Sequence, residues 1–424
     1  MRADNRVAIP KNCENRNFPT SLSAMTAAVS IGNRIRTLRE SAGLKAFELA
    51  NALDLDPSAV SLIEKDQRSV KAVELAEIAK FLGVSQLSIL EPESLLGRLP
   101  VSARVGAAEG LAGDTARRLT QIAELHQVLE DGGHPSRHRL DGVPQPAGAK
   151  WLDHASRLAK WALERLEGAP EDDDPFTNLV EGIEGELGID VLVEDLGEGG
   201  PLGASITDPS YPLIVVNSSQ PRPRALFTLG HELGHVLNRD GTSLNIDSDL
   251  RAHNDEERTA NAFAAALLMP ELSVKDTIES YGRGSKSLGQ MLLDFGVSFE
   301  SLIFRLHNLR IINAGGRDNL RSVGWAGLLA ELEDHGLKQA LLAARGSRPE
   351  RRPPVLLAAR CLAGIFDGTV SAAPLAGLLD IDTDELLNLV SAIEADGPSK
   401  IDGDYSTPAD AQDDFLRGFD LSPV

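Results

Sequence analysis

The chain has 424 residues, of which 42% are hydrophobic, 25% are charged and 4% are aromatic. This composition is typical of a folded globular protein, and the length suggests about two to four domains. The formal net charge of −21 opposes general attraction to nucleic acid or anionic lipid, because the field of the whole chain repels phosphate groups. Any contact with DNA is therefore expected to be local.

Cysteine usage and hydropathy indicate the compartment. Cys13 and Cys361 are far apart in unrelated contexts, which suggests neither a disulfide framework nor a thiolate metal cluster. Residues 1–24 lack the apolar core of a signal peptide, and no segment is long enough to span a bilayer. We therefore expect a cytoplasmic protein with no membrane partner.

Five short helical patterns follow one another from Ile31 to about Leu90. Apolar residues recur in them at three- and four-residue intervals, as expected for helices that share one small core. Asp56 and Pro57 are a typical cap and first residue of a helix, so the third helix is predicted to begin there. The five predicted helices are IGNRIRTLRESAG, LKAFELANALDL, DPSAVSLIEKDQRS, VKAVELAEIAKFLG and VSQLSILE.

The middle of the chain changes from helical patterns to strands and back. A Gly- and Pro-rich stretch, DGGHPSRHRLDGVPQPAG, indicates a linker, and helical patterns resume at WLDHASRLAKWALERLEG and FTNLVEGIEGELG. Three short β-branched segments, IDVLVED, LGASI and YPLIVVN, then predict a small sheet. Further helices follow, with a predicted break at AGGRDN, residues 314–319.

The helix after the third strand contains LFTLGHELGHVL, in which His231, Glu232 and His235 have the spacing H-E-x-x-H. Residues four apart share one helix face, so both imidazoles can reach one metal ion. Glu232 is rotated by about 100° from His231, which places it beside the metal as a general base. Burying these residues on an apolar helix without a partner would cost roughly several kcal/mol, which favours a metal site over an accidental match.

Glu257 is the best candidate for a third ligand. It lies one loop after the helix that contains H-E-x-x-H, on the same face of the next helix as small alanines that allow close approach. Three protein ligands leave a fourth position for water, and Zn²⁺ is the expected ion, one per chain, although Mn²⁺ or Fe²⁺ also suits a His/His/Glu site. Two alternatives stay open: Glu256 as a ligand, and His253 as a donor to a developing oxyanion.

Three separated segments, RALFTLGHELGHVLN, ERTANAFAAALLMP and DFGVSFESLIFRL, resemble in this order the ImmA/IrrE family of metallo-endopeptidases, over about residues 175–312. The resemblance implies a zincin-like domain in which His231, His235 and Glu257 bind zinc and Glu232 is the catalytic acid/base. It also implies a protein substrate, a helix-turn-helix repressor whose cleavage controls genes of a stress response or a mobile element. The alternatives are a regulator that senses a ligand or metal without turnover, and an antitoxin-like partner.

The N-terminal segment resembles the helix-turn-helix domain of the Cro/phage-repressor (XRE) class, with LANALDLDPSAVSLIEK as its two central helices. Operator DNA is then expected to contact the start of the second of these helices and two basic residues after it. Acidic residues crowd the same face (Asp54, Asp56, Glu64 and Asp66), so a protein-binding role stays open. The candidate DNA contacts are Ser58, Ala59, Ser61, Lys65 and Arg68.

These patterns together predict a mainly α fold with a small β-sheet, an α+β arrangement. The C-terminal hundred residues resemble the tail found behind such peptidase domains, and packing or a homodimer contact is the simplest role for them. The predicted divisions are a disordered arm at 1–30, the helix-turn-helix domain at 31–92, a linker with a helical pattern at 93–150, the metallopeptidase domain at 151–315, a C-terminal helical domain at 316–400 and an acidic flexible tail at 401–424.

Overall fold

The computed structural model describes residues 30–41, 44–53, 55–82, 89–90, 111–146, 150–168, 174–239, 244–247 and 255–396. The chain divides into two compact units, Met1–Leu82 and Gly83–Val424. The described residues are mainly helical with one small sheet, which confirms the predicted fold class. No helix among them is long and apolar enough to cross a membrane. The predicted tail, and all of the predicted arm except residue 30, lie outside the described residues.

The first unit contains four of the five predicted helices, and only residues 89–90 of the fifth are among those described. Its core is built by apolar residues at helical spacing, including Ile35, Leu49 and Ile63, which are fully buried. Arg39 donates to both carboxylate oxygens of Glu64 at 2.6 and 3.0 Å and so ties the first helix to the third. The helices are Ile31–Ser41, Ala46–Ala52, Pro57–Glu64 and Ala72–Leu82.

The second unit contains a four-stranded sheet in the order β1-β3-β2-β4. β1 is parallel to β3, whereas the other two neighbouring pairs are antiparallel. The first three strands confirm the prediction from β-branched segments. β4 was not predicted, because LNID is short and contains one β-branched residue. The strands are Asp190–Glu194 (β1), Gly203–Ile206 (β2), Leu213–Asn217 (β3) and Leu244–Asp247 (β4).

Helices cover both faces of this sheet. Alternate residues of β1 and β3, such as Val191 and Ile214, face a core that contains the HExxH helix. The residues between them, such as Leu192 and Leu213, face a second core that contains the helices Leu111–Asp131 and Val355–Phe366. Because both faces are buried, the strands read as nearly continuous apolar runs.

The helix Arg222–Asn238 is called the motif helix here, and Asp255–Leu268 is called the glutamate helix. The described part of the second unit contains further helices. They are Leu111–Asp131, Trp151–Leu166, Pro175–Gly182 with its π-helical continuation Ile183–Leu187, Glu271–Tyr281, Ser285–Asp294, Phe299–Asn308, Ala314–Glu331, His335–Gly346, Val355–Phe366, Ala372–Leu379 and Thr383–Asp396.

The predicted break at residues 314–319 is wrong, because this segment forms the first turns of a helix. The side chain of Asn313 accepts the backbone N–H of Gly316 at 2.9 Å, and such a cap satisfies one of the free donors at a helix start. The helix is interrupted later, at Gly324, whose φ of 63° and ψ of −178° are not helical.

The packing of the second unit crosses the boundaries predicted from the sequence, which stay predictions. The helix Leu111–Asp131 comes from the segment interpreted as a linker, yet Leu119, Ile122 and Leu129 are fully buried in the core behind the sheet. Residues of the predicted C-terminal domain share that core. Apolar faces from both ends of this unit therefore cover one side of the sheet.

Two buried carboxylates, one at the first residue of β1 and one in the π-helical turn before it, hold the start of the helix Val355–Phe366. Glu184 accepts the N–H of Val355 at 3.3 Å, and Asp190 accepts the N–H of Leu357 at 2.8 Å. Carboxylates are favourable at this position because helix N-termini carry a partial positive charge. Arg352 forms an ion pair with Glu184. Burial nevertheless raises the pKa of Glu184 to about 7.

Candidate metal centre

The motif helix carries its polar residues into the interior of the unit. Its first turn contains Pro223, which suits a helix start because the missing N–H has no partner there. Its apolar residues, including Leu229 and Leu233, pack against the sheet. His231 and Glu232 are completely buried, and His235 is 2% exposed. Such burial of three ionisable residues requires compensating partners.

The structure brings His231, His235 and Glu257 together. The Nε2 atoms of the two histidines are 2.9 Å apart. The carboxylate of Glu257 lies 3.4 Å from Nε2 of His231 and 3.5 Å from Nε2 of His235. All three candidate ligand atoms lie within 4.8 Å of one another. Two ligands at zinc-binding distance in a tetrahedral site are separated by about 3.3 Å, so this donor set fits a zinc ion.

Close contact between the motif helix and the glutamate helix places Glu257 at the histidines. A Cβ built on Gly234 would lie 2.9 Å from Cα of Ala260, and one built on Gly230 would lie 3.4 Å from Cβ of Ala264. The small residues at i and i+4 on both helices therefore permit the short separation. The prediction that alanines allow close approach identified one half of this contact, and the two glycines are the other half.

Glu232 lies beside the ligand cluster and contacts β2. Its Oε2 accepts a hydrogen bond from Ser205 Oγ at 2.7 Å. A Cβ on Gly203, two residues earlier in the strand, would lie 2.9 Å from Oε1 of Glu232. Sequence reasoning missed both residues. The available signal was the small side chains at alternate positions of LGASI, which face the motif helix, while Ala204 and Ile206 face the other core.

Glu256 and His253 were the two alternative site residues that the sequence left open. Glu256 is exposed, whereas its neighbour Glu257 is buried, so the glutamate helix directs only Glu257 inward. His253 lies outside the described residues. A site of two histidines and one glutamate, with a second glutamate alongside, can hold a metal ion and a base next to one substrate bond.

The candidate DNA contacts lie on one part of the first unit. Ser58 and Lys65 are exposed, and Ala59, Ser61 and Arg68 are half-buried. Arg68 donates to Glu74, so its charge is partly compensated within the unit.

Two of the acidic residues that crowd this face make contacts inside the unit. Glu64 is paired with Arg39. Asp66 accepts the N–H of Gly32 at 2.9 Å and the hydroxyl of Ser30. The Arg39 pair compensates the charge of Glu64, whereas Asp66 is bound by neutral donors and keeps its negative charge.

Comparison with known proteins gives matches in both units. Residues 184–307 match the family model described as the IrrE N-terminal-like domain, and residues 30–88 match a helix-turn-helix domain. The second unit contains an IrrE-like domain. The resemblance noted from the three sequence segments is thereby confirmed for this region.

The IrrE-like domain is similar to two curated proteins. It is 32% identical over 104 residues to the radiation response metalloprotease IrrE of Deinococcus radiodurans, covering 23% of this chain and 32% of that protein. It is 31% identical over 104 residues to the protein of the same name from Deinococcus deserti, covering 23% of this chain and 37% of that protein. The chain thus spans about a third of the length of the curated relatives it matches.

The matched residues of the IrrE-like domain contain all four strands, the motif helix and the glutamate helix. The helices Leu111–Asp131 and Val355–Phe366, which cover the other face of the sheet, lie outside the match. The candidate metal centre therefore lies within the residues that match the family model, whereas the two helices that pack behind the sheet lie outside them.

Proposed function

We propose that this chain is a zinc-dependent endopeptidase fused to a DNA-binding helix-turn-helix domain. The observation that carries the proposal is the convergence of His231, His235 and Glu257, with Glu232 buried beside them. The similarity to metalloproteases of two Deinococcus species supports peptide hydrolysis. A helix-turn-helix repressor is the proposed substrate, and its cleavage would change gene expression.

His231, His235 and Glu257 would hold the metal in this mechanism, and the metal would supply an activated water and a Lewis acid at the scissile carbonyl. Glu232 accepts the proton of the attacking water and passes it to the leaving amine. Ser205 holds one oxygen of Glu232 by its hydrogen bond, which fixes the orientation of the carboxylate. The buried surroundings strengthen these electrostatic contacts, since the local dielectric constant is low.

Metal analysis of two matched variants tests the ligand assignment. Glu257→Gln is expected to lose bound zinc, because it replaces a charged ligand by a neutral one. Glu256→Gln changes the adjacent, exposed carboxylate and is expected to retain one zinc per chain. Equal zinc contents in the two purified variants would contradict the assignment of Glu257.

The Glu232→Gln variant tests turnover separately. It is expected to retain zinc, to capture the substrate in a pull-down and to cut it on the order of 10²- to 10⁴-fold more slowly than the wild type, the usual contribution of a general base. The captured protein is then incubated with both forms and analysed by mass spectrometry. Equal cutting by both forms would contradict the mechanism.

A regulator that binds DNA and senses a ligand or metal without turnover is the second candidate. It shares the DNA-binding domain with the first candidate, which the match of residues 30–88 to a helix-turn-helix domain and the pairing of Glu64 with Arg39 support. In a band-shift assay with the chain's own upstream DNA, Lys65→Ala should weaken binding and reduce the salt slope by about one. Lys80→Ala changes an exposed lysine on the fourth helix and is the control. Tight DNA binding by a protein that cuts no captured partner would favour this candidate.

A further inference from the structure

A cavity of about 900 Å³ lies at the N-terminal end of the motif helix. Its walls come from the first turns of that helix, the start of Pro175–Gly182 and four helices between residues 285 and 346. Pockets for small organic ligands usually have volumes of about 300–1,000 Å³. Arg224, which lines the cavity, is seven residues before His231 in the motif helix, a distance of about 10 Å along the helix axis. The cavity is therefore separate from the candidate metal centre.

The inner part of the cavity is apolar. Leu226, Leu292, Val297 and Ile303 line it, and all four are buried. Trp325 also lines the cavity. It follows Gly324, the residue at which the helix Ala314–Glu331 is interrupted. This part can accommodate a hydrocarbon or aromatic group of several carbon atoms.

The lining also carries an excess of positive charge, in a chain whose net charge is −21. Four arginines and two carboxylates line the cavity. Arg222 is paired with Asp174, and Arg321 donates to Glu300 at 3.2 Å. Arg224 and Arg345 have no acidic partner among the residues that the structure describes. The Arg345 guanidinium lies 4.8 Å from the centre of the Trp325 ring, and this stacking leaves its N–H edge available to a ligand.

We propose that this cavity binds a small amphiphilic anion. Its apolar part occupies the space between Leu226, Leu292 and Ile303, and its carboxylate or phosphate group is bound by Arg224 and Arg345. Guanidinium groups are suited to both anions because their planar N–H donors match two oxygen atoms at once. The unpaired charge of the two arginines explains why the ligand is an anion, and the buried apolar wall explains why an inorganic ion alone is insufficient.

The site does not depend on peptide cleavage. A ligand that binds only the folded chain raises its melting temperature by mass action. Because Arg224 and Leu226 belong to the motif helix, this ligand also stabilises the helix that carries the two histidines. Its binding can be measured in the zinc-loaded full-length protein whether or not a substrate is known.

The test uses octanoate and octyl phosphate as probes, with octanol as the neutral analogue of the same chain length. Titration calorimetry and quenching of tryptophan fluorescence measure binding to the full-length protein. At least one anionic probe is expected to bind about tenfold or more tightly than octanol, because charge-assisted hydrogen bonds are lost with the neutral head group. The preferred probe distinguishes a carboxylate ligand from a phosphate ligand.

A pair of charge-reversal variants completes the test. Arg224→Glu combined with Arg345→Glu is expected to weaken the anionic probe about tenfold or more. Both residues are exposed, and circular dichroism checks that the fold is retained. Arg283→Glu changes another exposed arginine that does not line the cavity and should leave binding within about twofold. Absence of binding by both anions, binding of octanol at equal strength, or equal effects of the double variant and Arg283→Glu would overturn the proposal.

Discussion

Replacing Gly234 by alanine puts one methyl group between the motif helix and the glutamate helix. The new Cβ would lie 2.9 Å from Cα of Ala260 and 3.1 Å from Cδ1 of Phe263. Favourable carbon contacts begin at about 3.5 Å, so the helices must separate by about 0.6 Å. Ala260 Cα is a backbone atom and cannot rotate away, which means that the whole glutamate helix has to move.

This movement affects both the stability of the protein and its affinity for zinc. For stability, the alanine gains about 1 kcal/mol of helix propensity but costs about 1–3 kcal/mol in overpacking, so the apo protein should lose no more than about 2 kcal/mol. For the metal, Glu257 lies one turn before Ala260 and moves with it. Metal–ligand distances tolerate about 0.2 Å. We therefore expect zinc affinity to fall about tenfold, which corresponds to about 1.4 kcal/mol.

Gly230→Ala is the matched control, because Gly230 precedes His231 as Gly234 precedes His235. Its Cβ would lie 3.4 Å from Cβ of Ala264, an ordinary contact. This variant should be up to about 1 kcal/mol more stable and bind zinc within about twofold of the wild type. Urea unfolding of the apo forms and competition with a chromophoric chelator measure the two quantities. Equal zinc affinity of the two variants would refute the reasoning.

Two further changes probe the surroundings of the site and the rear core. Ser205→Ala removes the hydrogen bond to Glu232. It should slow single-turnover cleavage of the captured substrate about tenfold without loss of zinc. Unchanged cleavage would show that Ser205 does not orient the carboxylate of Glu232. Burial lowers the pKa of His126 to about 3, below its unfolded value of about 6.5, so its contribution to stability is complete above pH 6.5 and declines as the pH falls. His126→Phe keeps a ring against Tyr211, where the ring centroids are 3.9 Å apart. Between pH 8 and pH 5, the unfolding free energy of the wild type should fall by about 2 kcal/mol more than that of this variant. Equal decreases of the two proteins in urea unfolding would contradict this.

The grouping of the three candidate ligands could be predicted from the sequence because helical periodicity determines most of it. His231 and His235 share one face of their helix whatever the surrounding fold. Small residues at regular spacing indicated that the helix of Glu257 packs closely against the motif helix. Ser205 was not accessible in this way. Its meeting with Glu232 depends on the register of β2 and on how the motif helix crosses the sheet, and neither follows from local pattern.

The rear core was missed for a related reason. The apolar residues of Leu111–Asp131 have their partners near the other end of the second unit. A Cβ built on Gly364, for example, would lie 3.0 Å from Cδ2 of Leu129. A helical pattern followed by a Gly- and Pro-rich stretch predicts a linker when those partners are not considered. Similarly, AGGRDN resembles a loop by composition, and its helical form depends on the side chain of Asn313 just before it.

The capping of the helix Val355–Phe366 has a consequence for the synthesis of the chain. Glu184 and Asp190 are 171 and 167 residues away from the N–H groups they accept. At about 5–20 residues per second, the ribosome completes His231 on the order of ten seconds before it completes that helix. For most of this interval the nascent chain already contains all three candidate metal ligands, while two buried acids lack their partners and the rear of the sheet is open to water. A finished metal centre is therefore expected only after the last helices have emerged, and exposed strands in the unfinished chain are a target for chaperones.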